Sequence, residues 1–183
     1  MAKIITFGNF KGGTGKTTNS TMIAKTLSDK GYKTLLIDMD PQGNATNLYL
    51  KTKNYLAEEL SVFEKTLMSA IKDEDLSSAL INIKENLDVL PSSVDFALFP
   101  RFMEHMPDYA ERVRYFSELL VPLKEKYDYI IIDIPPTISR ITDCALYASD
   151  YCVIVMQTHE RSLQGAEAFL VYIQDEVIDR FHA

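Results

Sequence analysis

Tryptophan is absent from the 183 residues, and cysteine occurs only twice. Cys144 and Cys152 lie eight positions apart without CxxC spacing, which excludes a disulfide framework or a cysteine metal site. They read as buried thiols in a reducing compartment. The three histidines, His105, His159 and His182, are scattered without HExxH spacing, which argues against a structural histidine–metal site. No apolar run approaches the ~18 residues of a membrane-spanning helix. A glycine-rich stretch arrives within the first dozen residues and leaves no room for a signal peptide. Positive charge is in deficit: 19 Lys and Arg against 26 Asp and Glu give a net charge of −7. Such a surface cannot coat DNA as a whole, so contact with DNA needs a local patch or a missing segment. What is present is ordinary for a folded domain, 46% hydrophobic and 25% charged, which excludes wholesale disorder. The length suits a single domain, 1–183, with a sizeable core.

Hydrophobic patterning predicts the elements. Residues 3–7 (KIITF) form a short β-branched run, a strand, and 8–15 a turn-rich loop. Residues 17–30 have helical spacing, with Met22, Ile23, Thr26 and Leu27 on one face and Gly31 as the C-terminal stop. Residues 34–37 (TLLI) read as a second buried strand, followed by the polar DMDPQGN. Strand, loop, helix, strand is one βαβ unit, which implies a parallel sheet covered on both faces. Ser61 and Glu64 have capping-box spacing ahead of a helix to about 71. Residues 87–90 (LDVL) read as a short strand, 93–104 as a helix interrupted at Pro100, and 109–126 as a helix that Pro122 kinks or divides. The clearest strand is 129–132 (YIII), leading into Asp133, Pro135 and Pro136. Residues 151–156 (YCVIVM) are the next. A helix from about 161 then places Leu163, Ala166, Leu170, Ile173 and Val177 on one face. A crossover helix normally feeds another parallel strand. Here the chain stops instead, so the fold is expected to lack its C-terminal part.

Residues 11–18 read KGGTGKTT between a strand and a helix, the setting of a phosphate-binding loop. Gly12, Gly13 and Gly15 permit positive φ and let backbone N–H groups face a phosphate closely. Thr14 and Thr18 complete the loop, and the helix starting near Lys16 adds its positive dipole end. Lys16 can reach the β- and γ-phosphates, and the Thr17 hydroxyl can ligate Mg²⁺. The strict pattern has glycine where Phe10 stands. The replacement pattern [KR]GGxGK[ST] is itself demanding, with a chance occurrence of roughly 10⁻⁴ or less in a chain this long. Lys11 is either a solvated surface lysine or a second cation at the triphosphate, and its position alone leaves both open.

Asp38 and Asp40 follow the second strand and, at a two-residue step, point to the same side. Asp133 ends another strand. Ligands of open α/β sheets sit beyond the carboxyl ends of the strands, where the phosphate loop also lies. The three carboxylates are therefore expected to converge on Mg²⁺ and the γ-phosphate, mostly through water. Phosphoryl transfer to water also needs a group that orients the attacking water. Asp40, further into the loop, is the better candidate. The competing reading of Asp38 and Asp40-Pro41 is turn formation.

KGGTGKTT, LLIDMDPQGNAT and YIIIDIPP, in this order over roughly residues 3–165, resemble the three nucleotide-site motifs of the ParA/MinD family of deviant Walker ATPases. DPQGNAT leans towards the ParA branch, whose members partition plasmids and chromosomes. The resemblance implies an α/β, three-layer P-loop NTPase fold with a mainly parallel twisted sheet flanked by helices. It implies that Lys11 is the signature lysine, reaching across an ATP-sandwich dimer to the partner's phosphates. Asp40 would position the hydrolytic water, and Asp38 and Asp133 would surround Mg²⁺. It further implies an ATP-driven homodimer in the cytoplasm, associated with the nucleoid. That dimer would bind DNA non-specifically through the missing C-terminal region and hydrolyse ATP slowly to ADP and phosphate. A ParB-type centromere-binding partner would stimulate it, so that plasmid or chromosomal DNA is segregated. Two departures stand out. Family members usually continue for several tens of residues past the final helix, and Gln157 is followed by Thr158 where the family often has proline. Adenine and DNA contacts therefore have no assignable positions. A MinD-like positioning ATPase on membranes is the alternative, but it needs a Lys- and Arg-rich amphipathic helix, and Asp175, Glu176 and Asp179 make the last segment a poor anchor. An iron–sulfur carrier or nitrogenase-reductase-like ATPase needs paired cysteines, which Cys144 and Cys152 do not supply.

Overall fold

In the computed structural model, residues 1–57, 63–158 and 160–181 are described. The chain runs β1 (Lys3–Gly8), α1 (Lys16–Asp29), β2 (Thr34–Asp38), α2 (Asn44–Ala57), α3 (Leu67–Lys72), β3 (Ile81–Lys84) and β4 (Leu87–Leu90). It continues α4 (Phe99–Met103), α5 (Tyr109–Leu119), α6 (Val121–Lys124), β5 (Tyr129–Asp133), α7 (Arg140–Ala148), β6 (Tyr151–Ile154) and α8 (Glu160–Tyr172). A π-helical stretch, Ile173–Ile178, and a last turn, Asp179–Phe181, follow.

One sheet holds six strands in the order β3-β4-β2-β5-β1-β6. All pairings are parallel except that of β3 with β4. Every residue of β2 is buried, as expected of a strand covered on both faces. Successive side chains enter opposite layers. Ile4, Leu35, Ile37, Ile130 and Ile132 join Phe96, Phe99, Phe116 and Phe169 on one side, while Phe7, Leu36, Val89 and Ile131 meet Ala24, Ala45 and Tyr49 on the other. The result is a three-layer P-loop NTPase-like fold with a mainly parallel sheet between helices. The register sets Asp38 beside Asp133, and Phe7 beside Asp133 on the other flank, so three strand ends meet at one edge.

Helix rotations depart from the sequence expectation. On α1 the buried side is Lys16, Ser20, Thr21, Ala24 and Ser28, and Met22 is 57% exposed. Small hydroxyl residues let this helix lie close to the sheet, and each returns its hydrogen bond locally: Thr21 to Thr17 C=O, Ser28 to Lys25 C=O. On α8 the buried positions are Ser162, Ala166 and Phe169, whereas Leu163 and Leu170 are 51% and 56% exposed. Phe169 sets this rotation, packing edge-on against Phe10.

Other differences are local. Ser61 lies outside the described residues. The helix it was expected to open starts at Leu67, where Thr66 accepts the Ser69 N–H. Pro100 stands in the first turn of α4, after a separate 3-10 stretch (Val94–Leu98), and Pro122 opens α6, so each proline divides its segment as predicted. α2 and β3 have no counterpart in the sequence reading. At the end of α1, Gly31 (φ +88°) gives its N–H to Ser28 and Tyr32 its own to Leu27, a Schellman stop. Arg112 is half-buried and donates to the carbonyls of Met106 and Pro107.

Gly8 is needed for space. A Cβ there would fall 2.2 Å from the buried Phe169 ring. Gly8→Ala is expected to destabilise the fold by about 1–3 kcal/mol, the usual range for overpacking, measurable by denaturant unfolding.

Candidate nucleotide site

β1 ends at Gly8, and the chain turns back before α1 begins at Lys16. Gly13 and Gly15 take left-handed backbone, φ +75° and +93°. Gly12 does not, which corrects the expectation for that residue. A Cβ on Gly12 would lie 3.9 Å from Pro136, across the mouth of the site. No side chain caps α1 and its first turn carries no acidic residue, so its leading N–H groups face an open cavity of about 480 Å³. Gly12, Gly13, Gly15, Lys16, Thr17, Thr18 and Asp40 line it, and so do Asn44, Ile134 and Pro136, which the sequence reading did not single out. Their only sequence signal was membership in DPQGNAT and DIPP.

Lys16 is buried, and its Nζ donates to the Lys11 carbonyl at 3.1 Å. Burial lowers its pKa, and the charges of Asp133 and Asp40 oppose that shift. Thr14 is tucked beneath the loop, its hydroxyl 3.5 Å from the same carbonyl. Lys11 projects outward and is exposed.

The three carboxylates part company. Asp38 is buried, and both its oxygens are engaged. Oδ1 accepts the Asp40 N–H at 3.1 Å, and Oδ2 accepts the N–H and the hydroxyl of Thr46 at 2.8 Å each. Asp38 thus ties β2 to the first turn of α2, while its charge and that of Asp40 still act on each other. Asp40 does form a turn: its Oδ1 accepts the Gln42 N–H and its carbonyl the Gly43 N–H. It also lines the cavity, so the two readings of this residue coexist. Asp133 is buried, with Oδ1 accepting from Ser20 Oγ at 3.1 Å. Its Oδ2 is buried without a hydrogen-bond partner.

Burial pushes Asp38 up to about 6 and, together with the neighbouring Asp38 charge, pushes Asp133 up to about 7. Hydrogen bonds from Thr46 to Asp38 and from Ser20 to Asp133, and the nearby Thr17 hydroxyl, work against this. Both values lie above the ordinary 3.8. Between about pH 4 and 7 the folded state therefore binds more protons than the unfolded one, and the pair's contribution to stability falls as pH rises. Without divalent cation, Asp133→Asn is expected to raise the melting temperature at pH 8 and to flatten its decline from pH 5. Thermal melts with and without Mg²⁺ check this.

The orphaned Asp133 oxygen, beside the Thr17 hydroxyl, fits a divalent cation. Among the described residues no three His, Cys, Asp or Glu side chains form a ready-made metal group. A cation here would keep several waters, as Mg²⁺ does.

A family model described as an AAA domain matches residues 2–182. The sporulation initiation inhibitor protein Soj of Bacillus subtilis is 37% identical over 171 residues, 93% of this chain and 64% of Soj. A plasmid partition protein of Borrelia burgdorferi, solved with AMPPNP, superposes with a TM-score of 0.80 at 32% identity, covering 95% of this chain and 69% of that one. The chain belongs to the ParA/MinD family of P-loop ATPases. A cobyrinic acid a,c-diamide synthase from Mycobacterium smegmatis with bound ADP and magnesium shares the fold, with a TM-score of 0.82 at 26% identity over 99% of this chain and 69% of its own. The ParA/MinD-family chain spans 60–65% of the length of the first curated relatives it matches. Among the described residues its cysteines are both free thiols, Cys144 buried and Cys152 half-buried with its pKa pushed up to about 12. No described helix is long and apolar enough to cross a membrane.

Proposed function

We propose that this chain is the nucleotide-binding domain, 1–183, of a ParA-type partition ATPase that binds ATP with Mg²⁺ and acts as an ATP-dependent homodimer. The observation that carries the reading is the open N-terminus of α1, backed by buried Lys16 and by the unpartnered Asp133 oxygen. A helix N-terminus with a glycine loop is an anion site, and a lysine and a carboxylate behind it suit a phosphate chain carrying a metal ion.

The backbone from Gly12 to Thr18 cradles the phosphates, and Lys16 leaves the Lys11 carbonyl to pair with the β- and γ-oxygens. Thr17 and Asp133 hold the ion, and Asp38 keeps its place behind them as an anchor of α2. Bound Mg²⁺ supplies neutralisation of the charge that develops on the phosphate oxygens. Asp40, exposed to the cavity and fixed by its own turn, accepts a hydrogen bond from the attacking water and orients it. Lys11 reaches out of the loop to the phosphates of a second copy. Non-specific DNA and a ParB-type centromere-binding protein are the partners of that dimer, with segregation of plasmid or chromosomal DNA as its work at the nucleoid. Relatives named for partition, such as the chromosome-partitioning ATPase Soj of Treponema pallidum, support this choice.

Solution mass tests it, measured without nucleotide, with ADP and Mg²⁺, and with a slowly hydrolysed ATP analogue. A dimer is expected only with the analogue, and Lys11→Ala is expected to abolish it. An analogue-bound monomer, or a dimer that persists in Lys11→Ala, would count against the sandwich arrangement.

A further inference from the structure

Asn9 is 1% exposed and sits between β1 and the phosphate loop. Both ends of its amide are committed. Oδ1 accepts the Lys11 N–H at 2.7 Å, and Nδ2 donates to the carbonyls of Val155 at 3.0 Å and Ser162 at 3.4 Å. The buried hydroxyl of Ser162 accepts the Gln157 N–H at 3.0 Å. The Gln157 side chain donates in turn to the Gly13 carbonyl at 3.0 Å. The loop is thus held at Lys11 and at Gly13 by groups from the connection after β6 and the start of α8.

α8 comes this near only because residue 165 is glycine. A Cβ there would lie 2.6 Å from Asn9 Oδ1, 3.0 Å from Lys11 Cβ and 3.2 Å from Lys11 N. Glycine inside a helix is unfavourable in itself, so its place here is explained by the contact. An apolar side chain would fill the Asn9 position as fully. An amide instead fixes one geometry, because a buried polar group left without partners is costly.

We propose that Asn9, Gly165, Ser162 and Gln157 form a positioning network that sets the direction in which Lys11 leaves the phosphate loop. They are positioning residues and need not touch the nucleotide. The inference rests on the ATP-switch reading of the site and deepens it. Lys11 carries its charge at the end of a long flexible stem, so its reach depends on how its own peptide is held. A misplacement of about 1 Å at a reacting phosphate costs up to about 100-fold.

The test compares Asn9→Ala, Gly165→Ala, their double variant and Gln157→Ala in the full chain. Hydrogen exchange of the Lys11 amide is followed by NMR without nucleotide, alongside affinity for ADP with Mg²⁺, kcat and analogue-driven dimer. Asn9→Ala and Gly165→Ala are expected to speed Lys11 exchange and lower kcat by about tenfold or more each, with ADP affinity within about threefold. The double variant is expected to lose less than the two single losses combined, since alanine at 9 removes the nearest of the three atoms that the new methyl would strike, leaving Lys11 Cβ at 3.0 Å and Lys11 N at 3.2 Å. Gln157 is exposed, so Gln157→Ala keeps the melting temperature and is expected to lower kcat by about three- to tenfold. Unchanged Lys11 exchange in both single variants overturns the network. So does a fall in ADP affinity and melting temperature that parallels kcat, because that is the mark of general damage. If the unaltered chain gives no analogue-driven dimer, the ATP-switch reading fails while the exchange arm still decides the network.

Discussion

Lys16→Met is expected to leave a folded chain that no longer holds a triphosphate, with ATP hydrolysis down by about 10³-fold or more, the scale on which a preorganised charge at a transferring phosphoryl group acts. Methionine is the informative replacement. Lys16 is buried, with its Nζ on the Lys11 carbonyl. Methionine keeps most of the side chain's volume while deleting the ammonium. The charge it deletes is the one near Asp133 and Asp40. Losing it leaves Asp133 with less compensation, so the variant's melting temperature is expected to fall more steeply towards pH 8 than that of the parent. Isothermal titration with ADP and with the analogue, and a phosphate-release assay, measure the binding and hydrolysis losses separately. Retained affinity for the analogue would remove Lys16 from the phosphate site.

Asp40→Ala is expected to act on the other side of the reaction. Orientation of the attacking water is worth about 10²–10⁴-fold for a positioned acid or base, so kcat falls on that scale while nucleotide affinity holds. The analogue-driven dimer persists, and ATP itself now supports a long-lived dimer because it is not consumed. Asp40→Asn separates the two parts this residue plays. Asparagine can still accept the Gln42 N–H and keep the turn, yet it lacks the carboxylate charge. If Asp40 only shapes the turn, Asp40→Asn matches the parent in single-turnover hydrolysis. If it orients water, Asp40→Asn is nearly as slow as Asp40→Ala.

Where apolar runs met a glycine loop, the sequence was legible. β1, β2 and β5 are continuous β-branched and aliphatic stretches because they are covered on both faces, and KGGTGKTT lies where such a strand gives way to a helix. The helix faces were misread because hydrophobicity is a poor guide when the buried residues are Ser20, Thr21 and Ser28, whose hydroxyls are satisfied locally or by a site carboxylate. The face of α8 and its π-helical continuation was read only in part: Ala166 and Val177 are buried as expected, but Leu163 and Leu170 are exposed, and the small Ser162 and Gly165 beside them make the close contact. α2 was missed although its buried Ala45, Thr46, Tyr49 and Leu50 keep helical spacing, because it opens inside the polar DPQGNAT segment. The carboxylates were seen as one group. Nothing in the chain's order says that Asp38 is consumed by Thr46, or that Asp133 keeps a buried oxygen unmatched. The bond from Gln157 to Gly13 spans 144 positions and had no sequence signal.

The strand order has a consequence for synthesis. β1 emerges first from the ribosome, yet its neighbours are β5 and β6, and about 120 residues separate it from the nearer one. At roughly 5–20 residues per second, the nascent chain carries β1 and the glycine loop unpaired for about 6–24 seconds. β2 waits as well, first for β4 and then for β5. During that interval the apolar side chains of β1 have no sheet to enter, and exposed apolar surface of this kind favours aggregation.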